Sequence, residues 1–175
     1  MRKVAVEPYL EKWPMMFLEE AKKLREVFTT EILEIHHIGS TSVPGLQAKP
    51  IIDIMPVVKD ITLVDQYNEE MKQMGYTPKG ENGIPQRRYF EKGGDQRSHH
   101  VHFYEEDSHE IKRHLAFRDY LRTHPYEKQQ YGELKQKMAQ QFPYDIASYI
   151  QGKEQLVRES ESKALIWYDK GHESG

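Results

Sequence analysis

Apolar residues recur along the chain in two periods, and the switches between those periods mark the elements. Phe17, Ala21, Leu24 and Phe28 stand at i, i+4, i+7 and i+11, a single helical stripe. Trp13-Pro14 predicts its start, since proline at the first helical position gives up an N–H that has no intrahelical partner. Strands are expected over about Glu34 to Ile38 and over Ile51 to Val58. Within the second, Pro56 has no N–H for a ladder and predicts a bulge or an edge position. Val64, Tyr67, Met71 and Met74 mark another helix, which Gly75 ends. Gly80 to Pro85 reads as a turn and Gln86 to Glu91 as a strand. EKGGDQRS then reads as a hairpin loop entering a strand from His99 to Tyr104. Asp107-Ser108 caps a helix running to about Thr123, and Pro125 starts one that ends near Phe142-Pro143. Asp145 caps a last stretch whose periodicity weakens beyond Gly152. The pattern predicts an α+β fold: a mixed sheet of about four or five strands with helices packed on it, and a helical C-terminal third beginning at about residue 107.

Composition narrows the picture. A length of 175 residues suits one domain, expected to span residues 1–175. Hydrophobic content of 37% against 30% charged residues is polar but well short of the disordered class. A formal charge of −3 offers nucleic acid no global attraction, so nucleic acid is not the expected partner. The absence of cysteine excludes a disulfide framework, a thiolate zinc site and a cysteine nucleophile. MRKVAVEPYLEKWP lacks the apolar core of a signal peptide, and no stretch reaches the roughly 18 apolar residues of a membrane span. A cytoplasmic protein without a membrane partner is expected, its oligomeric state left open.

The chemistry concentrates in residues 35–58, IHHIGSTSVPGLQAKPIIDIMPVV. A carboxylate in an Ile/Val-rich strand, Asp53, is costly to desolvate unless it binds a cation or accepts hydrogen bonds. Upstream, Gly39-Ser40 offers small side chains and backbone N–H groups suited to a phosphate, with Thr41 and Ser42 adding donors. Such a pair suits a site where a metal-bound nucleotide phosphate meets an acid.

The same segment resembles the nucleotidyltransferase superfamily, whose pattern is Gly-Ser, a spacer and then an acid-hydrophobic-acid triplet on a strand. Here 12 residues separate Ser40 from Asp53. EPYLEKWPMMF, HIGSTSVPGLQAKPIIDI, GIPQRRYF, HHVHFY, HLAFRDYLRTHP and YDIASYIQGK more closely resemble the GrpB family of that superfamily, across most of the chain. The resemblance implies a polymerase-β-like fold, a nucleotide or other phosphorylated small molecule as partner, and transfer of a nucleotidyl group to an acceptor. It also implies Mg²⁺ at Asp53, with Mn²⁺ or Zn²⁺ as alternatives. One departure stands out: the second acid of the triplet would fall at position 55, which is Met55. Two-metal phosphoryl transfer holds its cations with paired carboxylates. Met55 therefore keeps a second reading open, a non-catalytic nucleotide- or phosphometabolite-binding module. Some members of the family are fused to dephospho-coenzyme A kinase, which implies a role near coenzyme A synthesis. A third reading is a histidine-based metal-binding protein.

Five of the nine histidines lie between His99 and His114. On a strand His100 and His102 share one face while Val101 and Phe103 share the other. If the apolar pair faces the core, His100 and His102 become candidate metal ligands, and His102 a candidate catalytic base beside Asp53. Adjacent His36 and His37 point to opposite faces, so at most one looks toward Asp53. His114, Arg118 and Arg122 recur every four residues along one helix face. Arg88 and Arg118 are the candidate phosphate-binding guanidiniums, and Lys49 a candidate neutralising cation. Tyr89, Phe90 and Tyr104 suit base stacking or the core.

Overall fold

The computed structural model describes residues 3–173, the last two by backbone alone. The chain divides into two compact units. One comprises Glu11–Ile38 and Ile51–Ile111 and carries the sheet. The other comprises the segment ending at Leu10, Gly39–Pro50 and the chain from Lys112 onward.

The sheet unit opens with α1 (Lys12–Phe28), followed by a 3₁₀ turn and β1 (Ile32–Ile38). β2 (Ile52–Val58), α2 (Asn68–Gln73), β3 (Tyr76–Pro78), β4 (Arg88–Lys92) and β5 (His99–Glu105) complete it. The strands form one five-stranded sheet in the order β1-β2-β5-β4-β3. Only β2 and β5 run parallel; β1–β2, β4–β5 and β3–β4 are antiparallel. The sheet and the helical C-terminal third are the α+β arrangement the apolar pattern predicts.

Several local expectations shift. α1 starts at Lys12, so Pro14 is its third residue, where the missing N–H is still one of the four without an intrahelical acceptor. The expected second helix is a 3₁₀ segment, Ile61–Tyr67, running into the short α2. Asp60 caps that segment by accepting the Thr62 N–H at 3.0 Å. β4 starts at Arg88 rather than Gln86, whose φ of 68° is not a strand conformation. Pro56 lies in an interior strand, not at an edge, opposite Ile35 of β1. The β2–β5 ladder accommodates it by a gap: Ile54 pairs with Val101 and pairing resumes at Val57 with Tyr104.

One face of the sheet packs on α1. Phe28 contacts Phe103 at 4.9 Å between ring centroids and Tyr67 at 4.4 Å, while Phe90 meets Phe103 edge-on. Leu24, Phe28, Ile52, Ile54, Val101 and Phe103 are fully buried. Each such side chain contributes about 1.5–3 kcal/mol on burial, which makes this face the anchor of the unit.

The helical unit contains most of α3 (His109–Thr123), then α4 (Pro125–Gln141) and α5 (Ile146–Glu173). Ser108 caps α3 by accepting the Glu110 N–H, Pro125 opens α4, and Asp145 caps α5 through the Ser148 N–H. α5 continues far past Gly152 because Ala164, Leu165, Trp167 and Tyr168 pack against Ala116 and Tyr120 of α3. Within this unit Glu7 and Ala48 exchange backbone hydrogen bonds of 2.9 and 3.0 Å. Val43 and Leu46 of the Gly39–Pro50 loop are buried with Leu121 and Tyr131.

Candidate functional site: an Asp-His-His cluster on the sheet

Strand register builds the cluster. Asp53 on β2 pairs with His100 on parallel β5, so the two side chains share a face, and the period of two adds His102. Val101 and Phe103 take the opposite face and are fully buried against the core. His102 Nε2 donates to Asp53 Oδ1 at 3.0 Å, and His100 Nδ1 lies 3.4 Å from the same oxygen. One ligand atom from each of the three residues falls within 4.8 Å of the others. Burial acts to raise the Asp53 pKa, but the hydrogen bonds and charge of His100 and His102 outweigh it and hold the carboxyl far below its usual range. The other ring nitrogen of His100, Nε2, is buried with no hydrogen-bond partner.

β4 supplies a residue that the sequence left as core or base-stacking. Tyr89 pairs with His102 in register, and its ring packs on both imidazoles, 5.5 Å from His100 and 5.1 Å from His102. The Arg87 guanidinium also lies over that ring, 4.8 Å from its centroid, while donating to the Glu81 and Asn82 carbonyls. Burial, then Glu91 and Asp53, push the Tyr89 hydroxyl pKa well above the ordinary tyrosine value, so it stays protonated. Its alternation with Arg88 and Phe90 was the available signal, but the hairpin register that aims it depends on the loop between β4 and β5.

The remaining candidates are placed differently. His36 shares the Asp53 face through its pairing with Met55 and lies 3.4 Å from Glu34. His37 turns to the α1 side, stacked on Phe17 at 4.9 Å. Arg88 forks onto Asp65, with Nε–Oδ1 of 2.8 Å and Nη2–Oδ2 of 3.3 Å, so its bidentate donors are engaged. In the helical unit, Gly39 has φ 73°, a conformation that favours glycine, and passes the chain into a 3₁₀ turn at Ser40, Thr41 and Ser42. Ser42 donates to the Gly39 carbonyl, and Arg122 to the Ser42 carbonyl at 3.0 Å. Arg118 donates to Asp119 at 2.8 Å, and Lys49 lies 5.1 Å over the Tyr149 ring. Covalent order links this turn to the sheet: Ile38, the β1 partner of Asp53, immediately precedes Gly39.

The donor set can be tested against Mg²⁺, the ion the family resemblance implies. Mg²⁺ takes oxygen ligands in a near-ideal octahedron and keeps several waters. Here one carboxylate stands with two imidazoles, and the position of the second acid is the fully buried thioether Met55. These residues fit Mg²⁺ poorly.

Comparison with known proteins supplies the family. The model for GrpB protein matches residues 3–163. This chain belongs to the GrpB family. It is 53% identical over 166 residues to the UPF0157 protein YqkA of Bacillus subtilis, covering 95% of this chain and 48% of that protein. The chain thus spans about half the length of that relative. The crystal structure of the conserved protein GrpB from Enterococcus faecalis is 43% identical, with a TM-score of 0.91 over 94% of this chain and 99% of that chain. Likeness falls to 14% identity and a TM-score of 0.48 with a Cid1 poly(U) polymerase bound to MgATP, over 75% of this chain and 45% of that chain. A dephospho-CoA kinase of Mycolicibacterium paratuberculosis is 23% identical, across 90% of this chain and 45% of that protein. Among the described residues no helix is long and apolar enough to cross a membrane.

Proposed function

We propose that this GrpB-family chain binds a nucleoside triphosphate through a divalent cation held by Asp53, His100 and His102, and transfers the nucleotidyl group to an acceptor. The supporting observation is the cluster itself, an ionised strand carboxylate with two imidazoles at 3.0 and 3.4 Å. A cation bound there would neutralise phosphate oxygens. The reaction assigned is attack of an acceptor oxygen on the α-phosphorus, with pyrophosphate leaving. Asp53 and His102 are the proposed catalytic residues, as ligands that would fix the cation beside the α-phosphate, and the acceptor proton passes to solvent. Gly39, Ser40 and Thr41 are assigned to phosphate binding on the strength of the family pattern. Lys49 and Arg118 are assigned the supporting cations.

Incubation with α-labelled nucleoside triphosphates and divalent cations tests the reading through pyrophosphate release. Asp53→Asn, which keeps the shape and removes the charge, is expected to abolish release, and His102→Ala to lower it at least about 10-fold through weaker cation binding. Release that persists in a folded Asp53→Asn protein would defeat the assignment. Met55 favours the second reading, a non-catalytic module. Its signature is nucleotide binding by calorimetry without turnover, and the kinase similarity makes dephospho-coenzyme A the first phosphometabolite to titrate.

A further inference from the structure

We propose that the ion held by this cluster is an imidazole-preferring transition metal of the zinc class, not Mg²⁺. The inference rests on the proposed reading only for the presence of an ion at Asp53, and it follows from four features of the sheet. The first is donor chemistry. Imidazole nitrogens suit Zn²⁺, Fe²⁺ and Ni²⁺, whereas Mg²⁺ selects oxygen. Three protein ligands with an open position are the usual composition of a catalytic zinc site. The second is Met55. It occupies the same face as Asp53, two residues along β2, and is fully buried. A thioether is soft and neutral, so the place where a second carboxylate would bring another hard oxygen contributes nothing to Mg²⁺.

The third is the way the ring nitrogens converge. His100 Nδ1 and His102 Nε2 both face Asp53 Oδ1, at 3.4 and 3.0 Å. One donor atom from each residue thus lies within 4.8 Å of the others, and an ion that displaces the ring protons meets two nitrogens and one oxygen together. The fourth is Tyr89. Its ring covers both imidazoles and is itself 7% exposed, so it leaves little room on that side for the retained waters that Mg²⁺ requires.

The test uses the untagged full chain, stripped with chelator and titrated separately with ZnCl₂ and MgCl₂ against a competing chromophoric chelator. Zinc is expected to bind at one equivalent and at least 100-fold more tightly than magnesium. His100→Ala and His102→Ala should each weaken zinc binding at least 10-fold. His109→Ala, an exposed histidine outside the cluster, should leave it unchanged. Circular dichroism establishes that each variant is folded. Where a variant fails to fold, His102→Gln is the replacement and carries the same expectation. Equal affinity for the two ions, or zinc binding that survives both cluster substitutions, overturns the inference. The two proposals separate cleanly in this design. Zinc bound by the cluster with no nucleotide binding leaves the metal assignment standing and removes the nucleotide reading. Turnover supported by magnesium in a protein that ignores zinc does the reverse.

Discussion

Glu20 on α1 is 3% exposed and accepts hydrogen bonds from the Tyr76 hydroxyl at 2.8 Å and Lys92 Nζ at 3.1 Å. Burial acts to raise its pKa, but the Tyr76 and Lys92 hydrogen bonds and the nearby charges of His99 and Lys92 prevail, and the carboxyl lies below its usual value of 4.5. A depressed folded pKa means that the ionised form contributes stability above pH 4.5, which is lost as pH falls through the folded value. Glu20→Gln leaves Lys92 short of its anionic partner and should cost about 1–3 kcal/mol at pH 7. Denaturant titrations should show the gap between wild type and variant closing as pH falls below 4.5. A gap independent of pH would mean that the amide loses packing rather than charge. Asp53 is satisfied by a different class of partner: Glu20 meets a lysine and a phenol, whereas Asp53 meets two imidazoles that also have nitrogens suited to a metal. That difference is why one acid reads as structural and the other as a site.

At the scale of the element, the β4–β5 hairpin decides whether Tyr89 reaches His102. Its loop is closed by Ser98 N–H to the Lys92 carbonyl at 2.9 Å and Gln96 N–H to the Gly93 carbonyl at 3.0 Å. Gly93 has φ 105°, and a Cβ there would sit 2.4 Å from the Gln96 carbonyl oxygen. Gly94 has φ 59° with open space around it. Gly94→Ala should therefore cost about 1 kcal/mol for the left-handed backbone alone. Gly93→Ala adds a backbone clash and should cost about 3 kcal/mol. Equal losses in thermal unfolding would show that the loop relaxes around the added carbon. Pro56 makes the complementary point. Its missing N–H argues for a bulge or an edge when the strand is considered alone, yet β2 is the second strand of the sheet, and its ladder with β5 skips from Ile54 to Val57 around the proline.

For the molecule as a whole, a ligand that binds only the folded state raises its stability by mass action. An ion at about 100 times its dissociation constant adds about 2.7 kcal/mol. For a chain of this length that is a rise in melting temperature of roughly 5–10 °C. Zinc is expected to produce it, EDTA to reverse it, and Asp53→Asn to abolish it. No shift at saturating zinc would show that the cluster is held together by its own hydrogen bonds.

Period and composition alone determined the class of fold, the helical C-terminal third, the caps at Ser108 and Asp145, and the alternation that sets His100 and His102 against Val101 and Phe103. These are local properties, set by backbone geometry over a few residues. Tertiary structure decided what the alternation could not: that β5 lies parallel to β2 with His100 opposite Asp53, and that the β4 hairpin lays Tyr89 on both imidazoles. It also turned Arg88 onto Asp65, 23 residues away in sequence. Likewise it extended α5 well beyond its visible periodicity, because the residues it packs against lie on α3. Pairing partners and register are set by which distant surfaces bury each other, and no window along the chain contains both sides of that contact.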